Sequence, residues 1–330
     1  MTDPAELYQA VAEETSRVLV GNDDAVELLT IALLTDGHVI LEGVPGVAKT
    51  TIARLFASAI DLEYNRIQMM PDVLPADVTG THVYRESTGE FQLQRGPIFA
   101  NVVMVDEINR ATPKTQSALL EAMQEGQVTI EGDTHQLPTP FIVVATQNPI
   151  EMEGTFELPK AQRDRFQFKL DIDIPDRDDE RTILDRFERD PDLTAEDVES
   201  VVSVEDLYEA TDAVRDVHVA ESVREYLLDV VAGTRSNPQI AYGASPRATL
   251  AFLHASKARA AIRGRDYVIP DDVKALARPT LVHRLVLEAD TELADVSPEH
   301  VVDDVLDGVE PPGSETEVEP ARPASTDTTD

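Results

Sequence analysis

A glycine-bearing loop between a short apolar run and a helical pattern is the strongest chemical signal in the chain. Residues 39–41 form the apolar run, and GVPGVAKT follows at residues 43–50. Backbone N–H groups in such a loop point inward, and the N-terminus of the next helix adds partial positive charge. We therefore predict a phosphate-binding loop in which Lys49 contacts the β- and γ-phosphates and the Thr50 hydroxyl binds Mg²⁺. The alternative is an ordinary strand–turn–helix that contains Lys-Thr.

One position of this loop departs from the usual GxxxxGK[ST] spacing, which has glycine before the lysine. Ala48 stands there, and its Cβ limits how closely the backbone approaches a phosphate and costs energy if φ must be positive. The strand and helix still lie where the motif requires them. The predicted nucleotide-binding residues of the loop are Gly43, Val44, Pro45, Gly46, Val47, Ala48, Lys49, Thr50 and Thr51.

Two acids follow the next apolar run. Residues 102–105 read VVMV and lead into Asp106 and Glu107. Open α/β sheets bind ligands at the carboxyl ends of their strands, so these acids should lie near the loop. We predict that Asp106, with Thr50, holds Mg²⁺ and that Glu107 polarises the attacking water as general base. An Asp-Glu pair is also common as a helix cap, but its position after a phosphate loop favours catalysis.

Further polar candidates follow the later strands. Asn148 comes after the apolar run 141–145 and could hydrogen-bond the γ-phosphate or the attacking water, or serve only as a turn residue. Arg163 and Arg165 precede the last alternating strand. A guanidinium stabilises charge that develops on a transferring phosphoryl group. Salt bridges to neighbouring acids are the alternative, and sequence alone does not separate the two.

A clear helix start lies in the second half of the chain. Ser245 is the expected N-cap, Pro246 the first helical residue, and Gly264 the end of the helix. Arg247 falls in the first turn, where a cation opposes the helix dipole. Such a charge indicates an anionic partner, although similar residues are often only solvated.

The elements that must position these residues are predicted as an α/β core followed by helices. The core is assigned residues 1–175 and contains a parallel sheet, a loop-plus-hairpin segment at 71–97 and a β-hairpin at 126–137. A helical domain is assigned residues 176–307, and a disordered acidic tail 308–330. A second helix is predicted from a cap at Asn22 or Asp23 to about Asp36, and helical spacing after the loop runs from Ile52 to Ala59. The other predicted helices lie at 5–19, 115–125, 178–189, 204–216, 220–233, 246–263 and 271–278.

The composition is strongly acidic, with 63 Asp and Glu against 28 Lys and Arg and a formal net charge of −35. Such a surface repels nucleic acid and anionic membranes unless a basic patch is segregated. We expect a protein from a salt-accumulating cytoplasm, such as that of a halophilic archaeon. No cysteine, secretory signal, membrane span or histidine ligand spacing is present. We therefore expect a cytoplasmic protein with no disulfide and no metal other than Mg²⁺.

Taken in order, these features resemble an AAA+ ATPase, and the amino-acid sequences of the motifs are similar to those of the MoxR family. The similarity covers roughly residues 18–265, and GVPGVAKT is itself the variant found in that family. The matching pieces are Val20-Gly21, GVPGVAKT, VDEINRA, EAMQEGQVTI, ATQNP, LPKAQRDRF and YGASPRA.

The resemblance implies ATP and Mg²⁺ as ligands and gives each candidate a family role. Lys49 and Thr50 resemble Walker A. Asp106 and Glu107 resemble Walker B, and Asn148 resembles sensor 1.

The resemblance also implies roles for residues whose function composition and spacing do not decide. Arg165 resembles the arginine finger, with Arg163 as the weaker candidate. Arg247 resembles sensor 2, which would face phosphate. Val20 and Gly21 would line the adenine pocket.

The family implies an assembly as well. Residues 71–97 resemble the helix-2 insert, and 126–137 resemble the hairpin before sensor 1. AAA+ sites lie between subunits, so we expect a homo-oligomer, a hexameric ring, in which Arg165 acts on the neighbour's nucleotide. MoxR proteins are thought to be chaperone-like ATPases, often acting on partners with a von Willebrand A domain.

Three other functions remain open at this point. One is a magnesium-chelatase-like motor subunit, which shares the insert and hairpin. A DNA-linked AAA+ motor is disfavoured by the charge, and a non-hydrolysing nucleotide-gated scaffold by the presence of Glu107. The single local basic excess consists of Lys257, Arg259, Arg263 and Arg265.

Overall fold

The structure, a computed structural model, describes residues 2–87, 89–149, 155–156 and 158–313. Its first part contains α1 (Pro4–Ser16), α2 (Asp23–Leu34), β1 (Val39–Glu42), α3 (Lys49–Ala59), β2 (Tyr64–Gln68), α4 (Pro75–Thr79), β3 (Gly80–Arg85), β4 (Glu90–Arg95), β5 (Val102–Asp106), α5 (Pro113–Glu125), β6 (Gln127–Ile130), β7 (Asp133–Gln136), β8 (Ile142–Gln147), α6 (Lys160–Arg163) and β9 (Phe168–Asp171).

The second part is helical. It contains α7 (Arg177–Arg189), α8 (Val204–Asp216), α9 (Glu221–Ser236), β10 (Ile240–Tyr242), α10 (Pro246–Ile262), α11 (Pro270–Leu281), β11 (Val286–Leu287), α12 (Ala289–Leu293) and α13 (Pro298–Asp307).

A parallel sheet in the order β2-β5-β8-β1-β9 organises the first part. Helices cover both faces, which is why β5 and β8 are almost wholly apolar. Leu41 lies in the apolar cluster that includes Phe56 of α3. Ile40, on the other face, clusters with Leu119 of α5. Because the strands are parallel, the residues that follow β1, β5 and β8 meet at one edge of the sheet.

The predicted fold, a parallel-sheet α/β core followed by helices, is confirmed. The hairpins within 71–97 and 126–137 are present as β3–β4 and β6–β7. The boundary at residue 175 stays a prediction. Of the predicted disordered tail, residues 314–330 lie outside the described residues.

Four details differ from the sequence-based expectations. The insert also contains α4, and the helical part contains the antiparallel pair β10–β11, whose strands are too short to give a periodic signal. Helix α13 was not predicted, although Ser297 caps it as Ser245 caps α10. Asn22 precedes α2 with φ 60° and makes no side-chain cap.

The three arginines of the predicted basic excess make ion pairs, and Lys257 donates to the Arg215 carbonyl. Glu27 accepts from Arg263 at 2.6 Å and pairs with Arg259 at 3.2 Å. Asp272, fully buried, pairs with Arg259 at 2.8 Å and with Arg265 at 2.7 Å. These arginines therefore join α2, α10 and α11 and do not form an open cationic surface.

Candidate nucleotide-binding site

The loop between β1 and α3 has the backbone that the sequence predicts. Ala48, the N-cap of α3, has φ 65°, so the predicted cost of a Cβ at this position is real, roughly 1–2 kcal/mol. Gly43 needs to be glycine, because a Cβ there would lie 2.4 Å from the carbonyl oxygen of Ile172. Val47 is buried and anchors the loop in the core.

Lys49 is held at the centre of this loop. Its Nζ donates to the carbonyl oxygens of Gly43 at 2.6 Å and Val44 at 2.9 Å. Burial lowers the pKa of Lys49, while the charges of Asp106 and Glu107 oppose that shift. The ammonium thus lies among acceptors that a phosphate oxygen would replace.

A cavity of about 430 Å³ brings the main predicted residues together at the carboxyl edge of the sheet. Pro45, Gly46, Ala48 and Thr51 of the loop also line it. The predicted binding and catalytic residues that line it are Lys49, Thr50, Asp106, Glu107 and Asn148.

Two oxygen donors in the cavity fit a magnesium ion. Thr50 Oγ1 lies 3.3 Å from Asp106 Oδ1, and adjacent ligands of an octahedral Mg²⁺ lie about 3 Å apart. Asp106 is otherwise buried. The described residues contain no cluster of three or more His, Asp or Glu side chains suited to a metal. Phosphate oxygens and water would therefore supply the remaining ligands, as Mg²⁺ prefers.

Strand β2 adds polar residues that the sequence did not point to. Arg66 Nε donates to Asp106 Oδ2 at 2.5 Å, and Gln68 Nε2 to Glu107 Oε2 at 3.3 Å. The alternation of polar and apolar residues in Arg66-Ile67-Gln68 was the signal available in the sequence. Strand β2 contributes to the site because it pairs with β5, and this pairing places Gln68 opposite Asp106.

Glu107 is oriented by several contacts. Its backbone has φ 56° and its N–H donates to Thr146 Oγ1 at 3.0 Å. The Thr146 hydroxyl in turn donates to Asp106 Oδ1 at 3.2 Å, and Arg110 Nη1 donates to Glu107 Oε2 at 2.9 Å. The carboxylate is therefore held at the cavity wall, where a base must lie.

The candidate arginines do not line this cavity. Arg165 Nη1 donates to the Leu120 carbonyl at 2.7 Å, beside α5. Arg163 faces a separate cavity of about 490 Å³, which His283 also lines. Arg247 is exposed and lies near Arg284. Arg247 does not line the phosphate-loop cavity of its own chain, and its contact with a phosphate stays a prediction.

The two residues proposed for the adenine pocket lie beside helix α7. Val20 and Gly21 are half-buried, and a Cβ on Gly21 would lie 2.9 Å from Asp179 Oδ2. Arg186 of α7 donates to the Leu19 carbonyl at 3.0 Å. An adenine contact here stays a prediction.

Comparison with known proteins identifies the class. The sequence pattern described as "ATPase family associated with various cellular activities (AAA)" matches residues 38–168, and the pattern described as "AAA lid domain" matches residues 232–305. A crystal structure of a putative ATPase from Cytophaga hutchinsonii superposes with a TM-score of 0.86 at 38% identity, covering 93% of this chain and 95% of that one. Fold and site thus define an AAA ATPase core with its lid.

Two relatives narrow the class. The uncharacterized protein YeaC of Bacillus subtilis is 44% identical over 93% of this chain and 95% of its own. Chaperone MoxR1 of Mycobacterium tuberculosis is 44% identical over 90% of this chain and 80% of its own. The chain belongs to the MoxR family of AAA ATPases, as its motifs predicted. Within the described residues, no helix combines the length and apolar character that a bilayer crossing needs.

Proposed function

We propose that this protein hydrolyses ATP with Mg²⁺ in the cytoplasm and uses the energy to remodel or mature a partner protein. The observation that carries the proposal is the single cavity shared by Lys49, Thr50, Asp106, Glu107 and Asn148. The relative named Chaperone MoxR1 supports the chaperone-like part. A protein with a von Willebrand A domain is the expected client.

Each residue has a distinct role in this proposal. Lys49 and the loop N–H groups bind the phosphates, and Thr50 and Asp106 hold Mg²⁺, which neutralises phosphate charge when bound. Glu107 accepts a proton from the attacking water, and Asn148 orients that water or the γ-phosphate. No further acid from the described residues lines this cavity, so Glu107 is the base.

The position of Arg165 supports an assembly of several copies, which we take to be a hexameric ring. Arg165 lies beside α5 and does not line the phosphate-loop cavity of its own chain, so its proposed target is the nucleotide of a neighbour. Arg163 is the weaker finger, because its Nε is buried without a hydrogen-bond partner among the described residues. Arg247 follows Ser245, whose hydroxyl donates to Asp164 next to Arg165, so we propose that Arg247 also acts on the neighbour.

A mixing experiment tests the shared site. Arg165→Ala should bind ATP normally but lower kcat at least a hundredfold, because the transition-state charge loses a cation. Adding Lys49→Ala subunits, which bind no ATP but carry an intact Arg165, should restore part of the phosphate release. Arg163→Ala is the matched control and should lower kcat less. No rescue in the mixture would contradict an arginine acting between subunits.

Glu107→Gln tests the hydrolysis and identifies the client. The variant should bind ATP as the parent does and hydrolyse it at least a hundredfold more slowly, because glutamine accepts no proton. Phosphate release and calorimetric ATP binding measure the two effects. A pull-down with this variant in molar KCl with ATP should then retain the client. A von Willebrand A domain protein supports the proposal, whereas a chelatase subunit would favour the magnesium-chelatase-like alternative.

A further inference from the structure

Asp164 lies between Arg163 and Arg165 and contacts two points of the helical part. Arg284 Nε donates to its Oδ1 at 3.1 Å. The Ser245 hydroxyl donates to the same carboxylate, 2.9 Å from Oδ2. Ser245 is the N-cap of α10, the helix whose first turn contains Arg247. One carboxylate thus joins the two arginine-bearing segments.

Asp164 is also the counter-ion of a buried charge. Arg284 is 1% exposed, and its other donors go to backbone carbonyls of Phe166 at 2.7 Å, Gln167 at 3.3 Å and Thr280 at 2.5 Å. Burial lowers the pKa of Arg284 to about 10, so it stays protonated at neutral pH. Among the described residues, Asp164 is the one acid paired with it.

A second contact joins the same two segments. Lys160 Nζ donates to the carbonyl oxygens of Tyr242 at 3.1 Å and Gly243 at 3.2 Å. Arg247 is also close enough for its charge to lower the pKa of Arg284. Residues 160–165 and 242–247 are therefore connected at both ends and should move together.

We propose that Asp164 is a positioning residue for ATP hydrolysis, which fixes Arg165 and Arg247 relative to each other so that both reach the neighbour's nucleotide together. This inference rests on the proposed function, in which these arginines act between subunits. Asp164 does not line the phosphate-loop cavity of its own chain. Its loss should therefore leave ATP binding by the same chain intact.

The test uses Asp164→Asn in the same mixing experiment. Alone, the variant should keep the parent's Kd for ATP and lose at least tenfold in kcat. An excess of Lys49→Ala subunits should restore turnover, because their Asp164 and Arg165 are intact. A variant damaged only in its fold would lose its own phosphate loop and would not be rescued. Asp185→Asn, an exposed acid on α7, is the charge-matched control and should keep the parent's kcat.

The outcomes separate this inference from the proposed function. If Arg165→Ala is rescued but Asp164→Asn has the parent's kcat, or is slow and not rescued, the inference is wrong and the shared site stands. If Arg165→Ala itself is not rescued, the shared site fails and the inference with it. Should Asp164→Asn not fold, Ser245→Gly decides, since glycine is tolerated at N-caps. A rescuable loss of kcat in Ser245→Gly supports the positioning role, and an unchanged kcat overturns it.

Discussion

His283 is a residue whose environment predicts a pH effect. It is buried, its Nε2 donates to the Phe166 carbonyl at 3.0 Å, and burial together with the Arg284 charge lowers its pKa well below 6.5. The folded chain therefore keeps this imidazole neutral while the unfolded chain protonates it. The contribution of His283 to the free energy of unfolding should therefore be complete above about pH 6.5. It should fall by about 1.4 kcal/mol for each pH unit below that value.

Denaturant unfolding of His283→Gln between pH 7.5 and 5.5 measures the effect. The variant should lose less free energy of unfolding on acidification than the parent, because it has one fewer buried imidazole to protonate. His300→Gln, at an exposed histidine, is the control and should keep the parent's slope. Equal slopes for all three proteins would show that His283 does not couple folding to protonation.

Sequence identified the loop and the two acids because their spacing along the chain is local and specific. Ala48 was recognised as a departure from the glycine of the usual motif. Its φ of 65° lies in the left-handed region, where a residue with a Cβ costs energy. Arg66 and Thr146 were missed, because their contacts with Asp106 come from the neighbours of β5 in the sheet. That neighbour order depends on the whole fold and on no single stretch of sequence.

At the scale of elements, the junction of α10 and α11 depends on Asp272. This fully buried carboxylate accepts from Arg259 and Arg265, and also from the Ile269 N–H at 3.0 Å. Asp272→Asn should lower the free energy of unfolding by about 3 kcal/mol, because it leaves two guanidinium groups without this acid. Denaturant titration measures the change.

Asp303→Asn is the matched control for that prediction. Asp303 pairs with Arg278 at the surface, and surface pairs contribute about 0–1 kcal/mol. A loss at Asp272 no larger than the loss at Asp303 would contradict a structural role for the buried pair. It would also reopen the arginines of α10 as a candidate surface for nucleic acid.

The longer elements were the predictable ones. Helix α8 has the predicted bounds of 204–216, since its apolar face repeats over several turns and Ser203 caps it. Strand β11, with two residues, has no period to detect, and its partner β10 is distant in sequence. This pairing joins residues about 45 positions apart, so it depends on how the helices between them pack.

At the scale of the whole molecule, the net charge of −35 predicts a salt requirement. The mutual repulsion of the acids disfavours the compact state, and the screening length falls to about 3 Å at 1 M salt. The thermal midpoint should therefore rise between 0.1 M and 3 M KCl. NaCl at equal ionic strength should act similarly, because screening depends on ionic strength. Equal midpoints at low and high salt would contradict this prediction.

The hairpins β3–β4 and β6–β7 contact each other through Glu131. Glu131, in the turn of β6–β7, lies 3.3 Å from Thr81 Oγ1 and 3.4 Å from His82 Nδ1 at the base of β3–β4. Near the far end of β3–β4 stand the exposed rings of Tyr84 and Phe91, with centroids 5.4 Å apart. A displacement of this aromatic pair would therefore be passed through Glu131 to the second hairpin, and the chain after β7 continues into β8, whose end lines the phosphate-loop cavity.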